Sequence, residues 1–592
     1  MKAATLAVAA ACLILPETSA FQAPLPTKLG RHTISNPELS RPQQRRVRRG
    51  VGPATATVEA STPVSVGTGD SDGQGQVLGA ETEPEDAAEW PYDWRKHWYA
   101  VGYDSDVVAG PKPVAASIFD EPLALFRDSS GALQCVGDFC PHRASKLSEG
   151  QVTEEGNLEC LYHGWQFEGA GGSCVKIPQL PEGGVPPRAA RLRVYPVAVS
   201  EGVVYVWMGD NPWGEGAKDI LPVPSSADGL DENKARNKTG TQQKRSSFTY
   251  EFAYDLPYDW SYLAENLLDP AHIPVSHDKT EGGGIKEKAC AMEFDVIREG
   301  DDAPGPSGFS ALVGSQSLFA KTGKTTSAYR WEAPGVIRVR SQPKTETSPR
   351  FGASLHCIPL GKGRSRILFK TYGINFPAIA VKLYGLKPTF LRHLNSCKIL
   401  EQDMGLICAQ EDYVARTGET LSNSFLPIKS SDGLVVEYRK WLDHVGHGMP
   451  FFQGWKKSKQ PSDLTNHEDI RRYSHRSQES RFHRHVLNSA CTRRALAKVK
   501  LTKRVGLAAT AVLAAASLLL LSSSGATAAA AAAATTAASG GCRFAALMSK
   551  LGGPRASFVA AVGAVCSLGL GAAAGILEGH FYTNFERHPS LA

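Results

Sequence analysis

Cysteine is scarce in this chain, at 12 of 592 residues. That excludes a disulfide scaffold and leaves reactivity or metal ligation as the question to put to the thiols. A concentrated basic face is lacking as well. The formal charge is +6, yet residues 1–50 carry eight Lys/Arg against two acids and residues 51–90 carry eight acids and no base. The remainder holds 57 bases against 49 acids. So mild a balance excludes nucleic acid as the partner, since its recognition needs clustered Lys and Arg. No repeat period is visible. With 42% hydrophobic and 21% charged residues the chain is not wholly disordered. Its length allows roughly three or four domains of about 150 residues.

The ends read as addresses and anchors. Residues 1–20 form a signal peptide: Lys2, an apolar run through Leu15, and Thr18-Ser19-Ala20 as a small-residue cleavage site. Residues 21–50 open with Phe21 and are rich in Ser and Arg, including Arg45, Arg46, Arg48 and Arg49, with one acid. This pair resembles the bipartite plastid leader of algae with secondary plastids; the alternative is a secreted protein with a basic linker. Residues 51–89, rich in Gly, Thr and Glu, read as disordered linker. At the other end, residues 505–521 and 558–577 are uncharged runs that read as transmembrane helices. Ala528–Ala534 either extends the first or forms the turn, and two helices would return the chain to one side of the bilayer.

The body from residue 90 is strand-rich at first. Leu123–Val136 carries Asp128-Ser129-Ser130-Gly131 as a hairpin signal, and Leu192–Met208 turns at Glu201-Gly202. Trp331–Arg340 and Leu355–Gly373 are further strand-like runs, while Pro257–His272 and Phe390–Ala415 have helical spacing. An all-β unit followed by an α+β unit is expected.

Residues 140–163 hold the sharpest pattern: Cys140-Pro141-His142, then Cys160-Leu161-Tyr162-His163. Two Cys and two His suit one tetrahedral zinc, but a zinc finger pairs Cys with Cys and His with His. Here each pair is mixed. Mixed pairs suit a 2Fe–2S cluster in which two thiolates hold one iron and two imidazoles the other. The C-x-H…C-x-x-H pattern is that of Rieske centres. Ser145 and Tyr162 stand where Rieske electron carriers place a disulfide, so the site resembles the oxygenase type. Cys174 has Cys135 or a more distant thiol as possible partner and reads as a free buried Cys. Pro178 either closes a third loop over the cluster or is a strand-edge proline.

A second constellation lies in Glu265-Asn266-Leu267-Leu268-Asp269-Pro270-Ala271-His272-Ile273-Pro274-Val275-Ser276-His277. On one straight helix, His272 and His277 would point about 140° apart. Pro274 is expected to break the helix and let the rings converge. Two His and a carboxylate form the facial triad of non-haem iron(II), with positions open for oxygen. Asp403 is expected to complete it, because it shares a helix stripe with Ile399, Leu400, Leu406 and Ile407, where an unpaired carboxylate costs several kcal/mol. Glu401 and Glu411 lie off that stripe and are weaker candidates.

Together these residues resemble the Rieske non-haem iron oxygenases, in particular the plastid pheophorbide a oxygenase-like group, which includes chlorophyllide and protochlorophyllide oxygenases and a translocon-associated Rieske protein. The resemblance runs from about Trp94 to Leu496, supported by Leu147-Ser148-Glu149-Gly150, Ile177-Pro178-Gln179, Tyr258-Asp259-Trp260 and Phe425–Trp441. It implies an α+β fold: an all-β Rieske iron–sulfur domain over 90–210, then a helix-grip α+β catalytic domain over 211–496. The implied cofactors are the 2Fe–2S cluster on Cys140, His142, Cys160 and His163, and Fe(II) on His272, His277 and Asp403. Asp269 would link His272 to a cluster histidine of the neighbouring subunit in a homotrimer. Ferredoxin or a similar reductase system, O2, a chlorophyll-related tetrapyrrole and membrane lipid are the implied partners, with the catalytic domain stromal in a plastid. Other readings are a redox-sensing component of plastid protein import and a membrane sterol oxygenase. Relatives often carry C-x-x-C after His-Val-x-Asn; here His485-Val486-Leu487-Asn488 runs on to a single Cys491. An intramolecular dithiol switch at that point is therefore not expected.

Overall fold

The computed structural model describes residues 89–107, 110–209, 247–280, 284–297, 307–316, 324–342, 348–459, 480–522 and 553–584. The signal peptide, the transit-like segment, nearly all of the linker and the Ala528–Ala534 tract lie outside these.

Three small antiparallel sheets make the first unit. Strand β1 (Trp98–Tyr103) pairs with β10 (Val203–Trp207), which pairs with β9 (Val197–Ser200). A second sheet joins β2 (Val114–Ile118), β3 (Glu121–Arg127) and β4 (Leu133–Gly137), and a third runs β5 (Gln151–Val152), β6 (Leu158–Glu159), β7 (Gln166–Phe167) and β8 (Cys174–Lys176). Both expected turns are present. Asp128 Oδ1 accepts from the Ser130 and Ala132 amides between β3 and β4. Glu201 and Gly202 take φ of 51° and 81° between β9 and β10, the left-handed pair that matches strand twist in a two-residue hairpin. The third sheet frames a small core of its own, with Leu147, Leu158, Phe167 and the two cysteines Cys140 and Cys160 buried together.

A seven-stranded antiparallel sheet dominates the second unit, in the order β11-β17-β16-β15-β14-β13-β12. The members are β11 (Ser247–Leu256), β12 (Glu293–Ile297), β13 (Gly308–Gln316), β14 (Lys324–Glu332), β15 (Val336–Ser341), β16 (Arg350–Gly361) and β17 (Arg364–Ile374). The runs Trp331–Arg340 and Leu355–Gly373 each contain a tight turn between two strands rather than one strand. Between β11 and β12 come helices α1 (Trp260–Leu268) and α2 (Ile273–Ser276). Asp259 caps α1 by accepting from the Ser261 amide at 2.9 Å. After β17 follow α3 (Ala378–Leu386), the long α4 (Thr389–Thr417), α5 (Leu421–Ser424) and α6 (Gly433–Val445). Helix α4 ends at Gly418, whose φ of 67° is the left-handed C-terminal cap.

The two units share one hydrophobic core, in which Trp98 and Tyr205 of the first meet Tyr254, Trp260, Trp331 and Trp441 of the second. Polar bonds reinforce the seam: Tyr205 Oη lies 2.8 Å from His356 Nε2, and the Lys370 ammonium donates to the Glu201 carbonyl. The chain then forms a π-turn at Phe482–Val486 and two long helices, α7 (Ala490–Ser522) and α8 (Gly553–Gly579). Each contains a segment apolar and long enough to cross a bilayer. They pack against each other, with Lys503 Nζ on Glu578 at 3.0 Å, Thr510 on Ser567 at 3.0 Å and Ser517 on Ser557 at 3.2 Å. These pairings make the helices antiparallel.

Candidate metal centres

Two loops of matched geometry carry the first constellation. In one, the Cys140 amide donates to the Ser145 carbonyl and the Ala144 amide returns to the Cys140 carbonyl, both at 2.9 Å. In the other, the Cys160 amide donates to the Trp165 carbonyl and the Gly164 amide returns to the Cys160 carbonyl, at 2.9 and 2.8 Å. Ala144 and Gly164 hold the equivalent left-handed positions, φ 55° and 73°. The two thiols lie inside and the two imidazoles outside: Cys140 and Cys160 are buried, His142 is exposed, and the imidazole ring centroids are 4.5 Å apart. Burial pushes the Cys140 thiol up to about 11, so no ordinary base nearby makes its thiolate; a metal would. The third loop does close here. Gln179 Nε2 donates to the His163 carbonyl at 2.8 Å, and a Cβ on Gly164 would stand 3.0 Å from Pro178 Cγ. Cys174 and Cys135 are both free thiols, but Cys174 is only half-buried, on the short edge strand β8.

The second constellation converges from three directions. Helix α1 stops at Leu268, with Asp269 as its C-cap followed by Pro270. The break thus comes before both histidines. Pro274 is not the breaker; it sits in the first turn of the one-turn helix α2, a position that proline favours. His272 and His277 flank that turn as its two caps, and their ring centroids are 5.2 Å apart. Asp403 arrives from the middle of α4. Its Oδ2 is 3.4 Å from His272 Nε2 and 3.1 Å from His277 Nε2, and all three donor atoms lie within 4.8 Å of one another. Burial works against the Asp403 charge, but the two imidazoles outweigh it and hold the carboxyl well below its usual range. For His272, burial opposes protonation, yet Asp269 and Asp403 outweigh it and raise its pKa to about 10. Two neutral-capable nitrogens and one buried carboxylate sharing a point suit a divalent transition metal such as iron(II).

Around these donors stand residues the sequence reading did not single out. His277 Nδ1 lies 3.0 Å from Gln402 Oε1, and Gln402 Nε2 donates to Thr280 Oγ1 at 2.9 Å. An amide oxygen only accepts, so Nδ1 carries a proton and Nε2 is the nitrogen left to ligate a metal. The Ser276 hydroxyl and Asn266 Nδ2 donate to Asp403. Asp269 Oδ2 stands 3.4 Å from His272 Nδ1, beside the site as expected. Gln402 was visible only as an amide directly before a buried acid, which is a weak signal.

Two stripe assignments change. Glu401 is buried, 5% exposed, and engaged by Arg481 through two bonds of 2.8 and 2.6 Å, with Tyr254 Oη donating at 3.0 Å. Its partner lies 80 residues downstream, beyond any helix-stripe argument. Leu406 is 53% exposed and lines a cavity of about 440 Å³ together with Asn266, Asp269, His272, Asp403 and Leu426. Its apolar side chain belongs to that cavity wall and not to a core. Glu411 accepts from the Asp259 amide at 3.1 Å, away from the histidines.

An all-β unit with paired Cys/His loops, joined to a sheet-and-long-helix unit with a two-His, one-carboxylate cluster, defines a Rieske non-haem iron protein. Residues 97–196 match the family model "Rieske [2Fe-2S] domain", and residues 331–420 match "Pheophorbide a oxygenase". The chain is 37% identical over 397 residues to protein TIC 55, chloroplastic, of Arabidopsis thaliana, covering 67% of each chain. It is 27% identical over 526 residues to the chloroplastic pheophorbide a oxygenase of Oryza sativa subsp. japonica, covering 84% of this chain and 90% of the relative. A crystal structure of dicamba monooxygenase bound to dicamba, 22% identical, overlays 60% of this chain and 97% of its own with a TM-score of 0.46. The chain belongs to the Rieske oxygenase family of plastid proteins, whose cofactors are a 2Fe–2S cluster and a mononuclear non-haem iron.

Proposed function

We propose that this protein is a membrane-anchored oxygenase that oxygenates a chlorophyll-related tetrapyrrole of the pheophorbide a or chlorophyllide a type, using O2 and electrons from ferredoxin or a similar donor. The observation that carries the reading is the complete cluster of His272, His277 and Asp403, of which His272 and Asp403 line an open cavity. When bound there, iron supplies oxygen activation. The chain's own residues do the rest. Gln402 fixes the tautomer of His277, Asp269 sets a carboxylate beside His272, and Ser276 and Asn266 keep the Asp403 carboxylate turned toward the imidazoles. Leu406, Phe425, Leu426 and Pro427 give the cavity an apolar lip suited to a flat, greasy macrocycle, while Gln410 and Asp432 offer polar contacts for its substituents.

On this reading Cys140, His142, Cys160 and His163 hold the cluster. His142, Leu161 and Tyr162 are exposed around it, the two latter at 58% and 59%. That apolar edge suits docking against the next subunit of a homotrimer, where Asp269 would connect the centres. The bipartite leader and the apolar helices support a plastid membrane, with the catalytic unit on the stromal side.

The second reading, a redox component of plastid protein import, is favoured by the 37% identity to TIC 55. An intact triad speaks against an idle iron site. Incubating purified protein and ferredoxin with pheophorbide a, chlorophyllide a and protochlorophyllide a under O2 decides between them, read by mass spectrometry. A product heavier by oxygen, with substrate-dependent O2 uptake, supports the oxygenase; no product from any pigment, with the cluster still cycling, supports the redox component.

A further inference from the structure

Helix α3 is an anomaly for a helix attached to a folded domain. None of its nine residues is buried. Ile379, Leu383 and Leu386 are 70, 60 and 67% exposed, and their i, i+4, i+7 spacing makes them one continuous apolar stripe. The opposite face is held in place: the Tyr384 ring packs 4.6 Å from Phe248 and lies under the Arg392 guanidinium at 4.4 Å. Its exposed stripe is therefore displayed by a fixed support.

Its position says what covers it. Only Lys387 and Pro388 separate α3 from α4. The first turns of α4, at Phe390 and Leu394, share a core with Leu496 and Val499 of α7 and with Ala574, Leu577 and Phe581 at the end of α8. Phe390 and Phe581 stack at 6.0 Å. Helix α3 thus lies beside the level at which the apolar helices leave the protein. Bases predominate there, the acid Glu578 being paired with Lys503. No acid occurs from Thr371 to Leu400, while Lys382, Lys387, Arg392 and Lys398 do. On α7 the stretch Cys491–Gly506 likewise holds Arg493, Arg494, Lys498, Lys500, Lys503 and Arg504 and no acid.

We propose that α3 lies in the surface of an anionic bilayer as a second attachment of the chain, its stripe among the acyl chains and its lysines at the headgroups. This rests on the membrane-anchored reading above. An apolar helix face flanked by Lys is the pattern of interfacial helices, and each Lys near an anionic leaflet biases binding about fivefold. A second copy of this face is a poor occupant, because apposing two such surfaces sets Lys382 and its neighbouring bases against bases, with no acid from Thr371 to Leu400 to offset them. The two attachments hold α4 from its first turn, and with it the height of Asp403 above the lipid.

The test uses the full chain in nanodiscs of phosphatidylcholine alone or with phosphatidylglycerol, read by amide hydrogen exchange. The expected result is slow exchange over residues 378–387 in the anionic discs, about fivefold or more slower than in the neutral ones. Lys382→Glu with Lys387→Glu should erase that difference, leaving 558–577 protected in both. Equal, fast exchange of α3 in both lipids while 558–577 stays protected overturns the proposal and leaves the anchor standing. Free exchange of 505–521 and 558–577 in discs overturns the anchor reading and this one with it. Protection that follows protein concentration instead of lipid charge assigns the face to a second copy and overturns it too.

Discussion

Asp403 keeps its charge where burial alone would remove it, because two imidazoles face it at 3.1 and 3.4 Å. Asp403→Ala should therefore empty the mononuclear site and end turnover while the Rieske absorbance persists. Cys160→Ser should do the reverse to the cluster. Metal analysis beside the visible spectrum checks both, and a fully iron-loaded, active Asp403→Ala protein would refute the triad. Gln402→Leu should lower iron affinity by roughly 10–100-fold, as loss of a bond to a ligating imidazole does elsewhere; competition with a chelator measures it. At this scale the sequence was readable where ligand chemistry dictates both residue type and close spacing, as in Cys140-x-His142 and Cys160-x-x-His163. Asp403 was found through the cost of an acid on an apolar stripe. Gln402 and Ser276 escaped because an amide or hydroxyl near a metal looks like any surface residue until its partner is placed.

Among the elements, α4 matters most, and what steadies it comes from far along the chain. Arg481 is 2% exposed and Glu401 5%, and their ion pair sits two residues from Asp403. Arg481→Ala leaves a buried carboxylate without its cation, at a cost of about 3–5 kcal/mol. The expected outcome is a lower unfolding midpoint and weaker mononuclear iron binding with the cluster spectrum unchanged; equal iron affinity in variant and parent would show that α4 is held by other means. Nearby, His393 Nδ1 and His485 Nε2 meet at 3.2 Å. Burial lowers both, helped at His393 by His485 and at His485 by Arg481, to about 3 and about 4. His356, buried and near Arg338, is likewise lowered to about 4. The unfolded chain then takes up protons first. Stability from these groups is complete above about pH 6.5 and falls as pH drops from there toward 4. Urea midpoints that do not decline between pH 7.5 and 5 would contradict this. Hairpin signals such as Asp128–Gly131 and the helical run of α4 were legible because they are local. The π-turn at Phe482–Val486 was not, since its shape answers to partners on β11 and α4.

At the scale of the molecule, the cluster unit and the iron unit are not beads on a string. They share Trp98, Tyr205, Trp260 and Trp331 in one core, while the cluster loops keep the small core of their own. The sequence indicated two units and two apolar helices but carried no sign that the units merge their interiors, because apolar residues on both read as belonging to separate cores. The Arg481 guanidinium adds a consequence of another kind. It donates to the His580 carbonyl at 2.5 Å as well as to Glu401, tying the helix that carries Asp403 to the end of the last apolar helix. A ribosome delivers Asp403 long before Arg481, and Arg481 99 residues before His580. The support of the metal centre thus waits on a helix made long after its ligands, and firm iron retention serves as a report that α7 and α8 have paired. Chains stopped before residue 553 should assemble the Rieske cluster normally yet release mononuclear iron to a mild chelator that the full chain resists.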